Sequence, residues 1–419
     1  MNKIQNRYEE QLLIEKPILE DFSQHHDYIK GTILWDLETT NLPHKNKPDE
    51  TAFIFQNQNG TIYCNNDFRI KEVLNLEAKI SPYSTPNPES LLINGKTYNL
   101  SDGQTHYRMM LEKDLKDKKY FNQGPQDYFG WNSDNFDEII NRYNRYIALL
   151  NPYPTVQNGN LNCDAVKAMH MIINFDPSFK YAVSLKGNPL TNLGVTAKYF
   201  GIDLFNAHDA IGDIEGMRKI LLEIKKRYPL IFESILVNAS KKGSLDMLQR
   251  SKVCLLGELW MGPSLLSPVT YISTGIENDI ISFNLRFNPN DLNNLSDNAL
   301  LKAIGNNPSK DKPIRILKQN KTLPMTPYEI VNNSEELVFS ETGLNAKEIM
   351  NRADTLINNF QLIGRIKKLY QEKKFKEKET YNKNFSMSEQ KIYQGFPSRS
   401  DNEIMSLFHE SSWRVKWQL

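Results

Sequence analysis

Cysteine is scarce in this chain: three in 419 residues, Cys64, Cys163 and Cys254, far apart and with no CxxC pair. Such spacing excludes a disulfide scaffold and a zinc knuckle, and it fits a reducing, cytoplasmic compartment. Long apolar runs are missing as well; none approaches the ~20 residues a bilayer demands, so no membrane partner is expected. The opening "MNKIQNRYEEQLLIEKPILEDF" is charged throughout and lacks the apolar core of a secretory signal. An excess of one charge is absent: 51 Lys and Arg against 50 Asp and Glu give a net charge of +1. A basic surface able to hold nucleic acid must therefore be local. What is present is 39% apolar residues over a length that suits two or three domains.

Residues 1–30 are polar and read as an N-terminal extension with one short helix. An apolar strand follows, "GTILWDLETT", then "ETAFIFQNQNGTIYCN", where Asn59-Gly60 between β-rich runs predicts a hairpin turn. A helix is predicted from Phe136, with apolar residues at 136, 139, 140, 143 and 147. "NCDAVKAMHMIINF" reads as another helix, and "LGVTAKYFGI" as a short one closed by Gly201. "AHDAIGDIEGMRKILLEIKKRY" is a long amphipathic helix whose basic end complements its dipole. Strands followed by helices make an α/β domain over 31–228.

From 229 to 377 the pattern changes. "VCLLGELWMGPSLLSPVTYIS", "DIISFNLRF" and "KPIRILKQNKTLP" are short strand-like runs, predicting a small barrel or sandwich. Helical pattern returns at "AKEIMNRADTLINNFQLIGRIKKLYQEKKFKEKET", whose charges alternate in sign as on a solvated face. Residues 378–419 start a further helical unit that stops without a closing element.

The chemistry lies in the acids. Asp36 and Glu38 are i and i+2 on a strand and share one face. Two unpaired carboxylates there are costly, and divalent cations would offset the repulsion. Taken alone, such a pair is also common by chance. Asp137 opens the helix that starts at Phe136, where an acid is favoured by the helix dipole whatever its role. Asp134 is its rival, or an N-cap. His208 and Asp213 flank the start of the long helix, with Asp209 as a candidate cap. Separately, each has an ordinary structural explanation. Together they run in order: DxE on a strand, FD at one helix start, HxxxxD at another.

That order resembles the DEDDh family of 3′–5′ exonucleases. The lead-in "GTILWDLETT", "GWNSDNFDE", "LTNLGVTAKYFGI" and "NAHDAIGDIEGMRKI", with "GELWMGPSLLSPVTYI", "NDIISFNL", "KPIRILKQNKTLP" and "KIYQGF" beyond, are similar to the bacterial exodeoxyribonuclease I family. The resemblance implies a ribonuclease-H-like domain with a mixed five-stranded sheet. An SH3-like β-rich domain and an α-helical C-terminal domain, truncated here, would follow it. It implies that Asp36, Glu38, Asp137 and Asp213 hold two Mg²⁺ ions, with Mn²⁺ able to substitute, and that His208 is the general base. Glu38 and Thr39 would contact the terminal nucleotide, Thr39 being otherwise a β-former at a strand end. Asn192 stands where the family has a DNA-contacting basic residue, with Lys186 as the stand-in. Trp131 and Asn132 would lie near the DNA, Trp131 serving equally well as core. The implied activity is release of 5′-mononucleotides from the 3′ end of single-stranded DNA, in repair and recombination. The implied form is a monomer, with single-stranded-DNA-binding protein as a partner. The alternatives are a 3′–5′ exoribonuclease and a non-catalytic protein that binds single-stranded DNA.

Overall fold

A computed structural model describes residues 29–39, 56–79, 104–204, 209–259, 264–305, 312–331 and 333–383, with side chains to 376. The expected N-terminal helix, His208 and "KIYQGF" lie outside the described residues.

Strand β1 (Gly31–Thr39) is central because its odd and even residues are both apolar over most of its length. Ile33, Trp35 and Leu37 pack on one side of the sheet with Tyr63 and Tyr128, while Leu34 packs on the other with Ile62, Phe129 and Ile214. Next come β2 (Gln56–Cys64), β3 (Ile70–Glu77), α1 (His106–Phe121), β4 (Gln126–Gly130), α2 (Asp137–Ile147) and β5 (Leu161–Asp164). The five strands form one sheet in the order β3-β2-β1-β4-β5. β1 pairs antiparallel with β2 and parallel with β4, so the sheet is mixed, as the resemblance implies. Helices α3 (Val166–Phe175), α4 (Leu193–Tyr199) and α5 (Ala210–Arg227) follow. α3 and α5 cover the Leu34 side; α1 and α2 contribute to the core on the Trp35 side. Gly201, at φ +69°, closes α4 as its position suggests.

Two local expectations are corrected. The Asn59-Gly60 pair is not a turn: β2 runs straight through it, paired with β1 on one side and β3 on the other. The turn comes at Asn65–Arg69, where the Asn65 side chain accepts from the amides of Asp67 (3.0 Å) and Arg69 (2.8 Å). "NCDAVKAMHMIINF" is not one helix, because its first residues form β5. Tertiary pairing with β4, from Asp127↔Leu161 to Gly130↔Asp164, overrides the local pattern.

Beyond α5, α6 (Pro229–Ala239) and α7 (Lys241–Arg250) precede the β-rich part. There β6 (Cys254–Leu259), β7 (Ser264–Thr274), β8 (Asp279–Asn284), α8 (Asn290–Asn293), α9 (Asp297–Lys302), β9 (Ile304–Gly305), β10 (Ile314–Lys318) and β11 (Met325–Pro327) succeed one another. The strands form a six-stranded sheet in the order β11-β6-β7-β8-β10-β9, antiparallel except for β9 on β10. α10 (Ser334–Thr342), α11 (Ala346–Ile357) and α12 (Phe360–Lys383) end the described chain. The helical stretch from Ala346 is broken at Asn358–Asn359, where the Asn359 side chain accepts from the Leu362 amide at 3.1 Å. One buried cluster runs from Phe175 and Phe232 to Leu255, Leu266, Ile349 and Tyr370, so the two sheets rest on a shared core.

Candidate active site

The even-numbered face of β1 is apolar at Leu34 and becomes acidic at Asp36 and Glu38, both half-buried. α5 packs over this end of the sheet. Gly60 lies opposite Asp36 across the β1–β2 ladder and shares its face. A Cβ on Gly60 would sit 2.8 Å from Ile214 Cδ1 and 2.9 Å from Ala210 Cβ. Glycine here therefore lets the first turn of α5 lie directly on β2, and that turn carries Asp213. The result is a cluster in which carboxylate oxygens of Asp36, Glu38 and Asp213 lie within 4.8 Å of one another. Asp209 is at the N-cap position of α5 but makes no side-chain capping bond; it accepts from Gln58 Nε2 at 3.1 Å, tying the helix start to β2.

Asp137, the first residue of α2, is buried at 5% exposure. Half-buried Phe136 packs on the Trp35 side. Burial raises the Asp137 carboxyl to about 7, with hydrogen bonds from its own amide and the Leu37 amide opposing, and the charge of Asp164 adding to the rise. Asp36 is raised well above the usual carboxylate range by burial first, then by the charges of Asp137, Glu38 and Asp213. The four acids from three separate segments thus share one field. Close-set, desolvated carboxylates are hard oxygen donors that suit a divalent cation such as Mg²⁺ or Mn²⁺.

Asp134 does not join them and does not cap α2. It is buried on a 3₁₀ turn (Ser133–Asn135), where its Oδ2 accepts from the Thr322 amide at 2.8 Å and its Oδ1 from Asn162 Nδ2 at 3.1 Å. Burial, then the charge of Asp164, raises Asp134 to about 7. Glu138 accepts from Arg142 and Thr155.

Beside the 3₁₀ turn a cleft of about 840 Å³ opens between the two sheets. Trp131, Asn132 and Lys167 line one wall, and Glu258, Lys318 and Lys321 the other. Asn192 is on the rim; its side-chain oxygen caps α4 through the Val195 amide at 2.9 Å. Trp131 Nε1 donates to the Thr191 carbonyl at 3.0 Å, so this ring is both cleft wall and partial core. Lys186 is exposed on a turn spanning Ser184–Asn188 and is not among the lining residues. Thr39 is buried at the end of β1, where the register slips between Glu38 and Thr39. Sequence reasoning missed Asp164, Lys167 and Thr322; the acid ending β5 was the available signal, hidden by reading that segment as helix.

No family model matches the chain. Among curated proteins it is 26% identical over 165 residues to exodeoxyribonuclease I of Haemophilus influenzae, covering 38% of this chain and 33% of that protein. It is 22% identical over 341 residues to exodeoxyribonuclease I of Buchnera aphidicola subsp. Acyrthosiphon pisum, covering 78% of each. The chain spans about a third of the length of the first two curated relatives it matches. Among solved structures, E. coli exonuclease I in complex with a dA16 oligonucleotide superposes with a TM-score of 0.68 at 19% identity, over 81% of this chain and 73% of that one. The zinc-ion-bound form of the E. coli enzyme's complex with single-stranded DNA gives 0.66 at 19% identity, over 82% and 73%. Among the described residues no helix is long and apolar enough to cross a membrane. The chain resembles exodeoxyribonuclease I in sequence and has the fold of exonuclease I.

Proposed function

We propose that this chain is a Mg²⁺-dependent nuclease that removes 5′-mononucleotides from the 3′ end of single-stranded DNA. The carrying observation is the cluster of Asp36, Glu38 and Asp213 at the end of β1, with the charge of Asp137 acting on Asp36 from the start of α2. The resemblance to exodeoxyribonuclease I supports the substrate class. In this reading Asp36, Glu38, Asp137 and Asp213 hold two divalent ions, with Mn²⁺ able to replace Mg²⁺. Bound there, the ions supply charge stabilisation at the scissile phosphate. The chain's own groups do the rest. His208, whose ordinary pKa is near 6.5, takes the proton of the attacking water. Glu38 and Thr39 hold the terminal nucleotide. Lys167, Lys318, Lys321 and Trp131 in the cleft hold the strand by phosphate pairing and stacking, which is tolerant of base identity. Asn192 contributes its amide at the rim, and Lys186 meets the strand outside it.

The same proposal places the protein in the cytoplasm as a monomer acting in DNA repair, with single-stranded-DNA-binding protein as a partner. It assigns 31–228 to the nuclease domain, 229–377 to an SH3-like domain and 378–419 to a helical one. Matched DNA and RNA oligonucleotides with Mg²⁺ test the substrate class. Faster shortening of DNA supports it; faster shortening of RNA makes the protein an exoribonuclease. Binding without shortening of either leaves only a binding protein.

A further inference from the structure

α2 begins without a side-chain cap: its N-cap residue, Phe136, has none to offer. Uncapped first turns leave amides unsatisfied and fray easily. Yet this first turn carries Asp137. The 3₁₀ turn directly before it is tied to the other sheet. The connection between β10 and β11 inserts Thr322 at the end of β5. The Thr322 amide donates to Asp134 Oδ2 at 2.8 Å; its hydroxyl accepts from the Asp164 amide at 2.9 Å and donates to the Asn162 carbonyl at 3.2 Å. The Asp164 carboxylate in turn accepts from the Val166 amide at 3.3 Å. Asn162, Asp164, Asp134 and Thr322 are 5%, 0%, 6% and 2% exposed, so these bonds do not exchange with water. The knot closes on the 3₁₀ turn directly before Asp137. The same connection carries Lys321, which lines the cleft and donates to Asn135 at 2.9 Å.

We propose that Thr322 is a positioning residue for the metal site: the β-rich part holds Asp137 in place through Thr322 and Asp134, and so completes the acid cluster of the other sheet. This rests on the reading of Asp137 as a metal ligand. Groups that orient ligands without touching the metal commonly change affinity by about 10–100-fold when removed.

The test uses the full chain and Mn²⁺ alone, followed by calorimetry or electron paramagnetic resonance. Thr322→Val keeps the shape and the amide that Asp134 accepts from, and removes the hydroxyl that ties Thr322 to the Asp164 amide and the Asn162 carbonyl, so the amide is no longer held in place at Asp134. Mn²⁺ affinity is expected to fall at least ~10-fold, and Thr322→Ser to restore it. On single-stranded DNA, kcat at fixed metal falls while KM for the oligonucleotide stays within about 2-fold, because the strand's contacts in the cleft are kept. Asp134→Asn, which keeps volume but gives up one of two accepted bonds, is the second variant should Thr322→Val not fold. Unchanged Mn²⁺ affinity in either folded variant overturns the inference, as does a change in KM alone, and the nuclease reading then still stands. A wild-type chain that binds Mn²⁺ but digests no nucleic acid defeats the nuclease reading, and loss of Mn²⁺ affinity in the variants still supports the inference. A wild-type chain that binds no Mn²⁺ defeats both.

Discussion

Replacing Asp36 with Asn should stabilise the metal-free protein and abolish its response to metal. Carboxylate oxygens of Asp36, Glu38 and Asp213 lie within 4.8 Å of one another, and Asp137 adds to the field at Asp36. Two unit charges at that separation repel by ~3.5 kcal/mol at an effective dielectric constant of 20. Much of this is already relieved by proton uptake, since Asp36 titrates well above the usual range. The amide's net gain should therefore be ~1–2 kcal/mol near pH 8 and vanish toward low pH, where Asp36 is protonated anyway. At roughly 2–4 °C per kcal/mol, this is a rise of ~2–8 °C in Tm in EDTA. Mn²⁺ at a hundred times its Kd adds ~2.7 kcal/mol to the wild type. The same Mn²⁺ should add little to Asp36→Asn. Calorimetric melts of both proteins, in EDTA and in Mn²⁺, give all four values. A lower Tm for the variant in EDTA, or an equal Mn²⁺ shift in both, would show that Asp36 carries neither the repulsion nor the metal.

Gly60→Val places atoms against Ile214 and Ala210. It should cost about 1–3 kcal/mol by overpacking and, by lifting the first turn of α5, weaken Mn²⁺ binding; chemical denaturation and a Mn²⁺ isotherm check both. In EDTA, wild-type stability should fall as pH rises toward and through 7. Asp134 and Asp137 have folded pKa values of about 7 against an ordinary 3.8, so their contribution is complete below about 4 and lost on crossing 7. Saturating Mg²⁺ should reverse that slope, and flat EDTA melts between pH 5 and 8 would contradict it.

Much of the site was legible because its signals are local. The i, i+2 acids on β1, the acid after Phe136 and the acid in the first turn of α5 each sit beside an apolar residue whose burial is readable from its neighbours. The β-rich second half was legible in its short strand-like runs, whereas the mixed five-stranded sheet was expected from the family resemblance and not from local pattern. What escaped depends on distant partners. Asn59-Gly60 has the composition of a turn, and only the approach of α5, some 150 residues on, explains a glycine inside a strand. β5 exists because β4 pairs with it, not because Leu161–Asp164 prefers extension. Asp134 could not be separated from Asp137 by pattern, since its decisive partner, Thr322, lies 188 residues away.

The central claim is that Asp36, Glu38, Asp137 and Asp213 form the metal site of a 3′–5′ exonuclease. It is tested most directly by digesting a 5′-labelled single-stranded DNA oligonucleotide with Mg²⁺, comparing the wild type with Asp213→Ala. Stepwise shortening from the 3′ end with release of 5′-mononucleotides is expected. The rate for Asp213→Ala should be at least ~100-fold lower, with oligonucleotide binding retained. No shortening by the wild type in either Mg²⁺ or Mn²⁺, or a near wild-type rate for the variant, would contradict it.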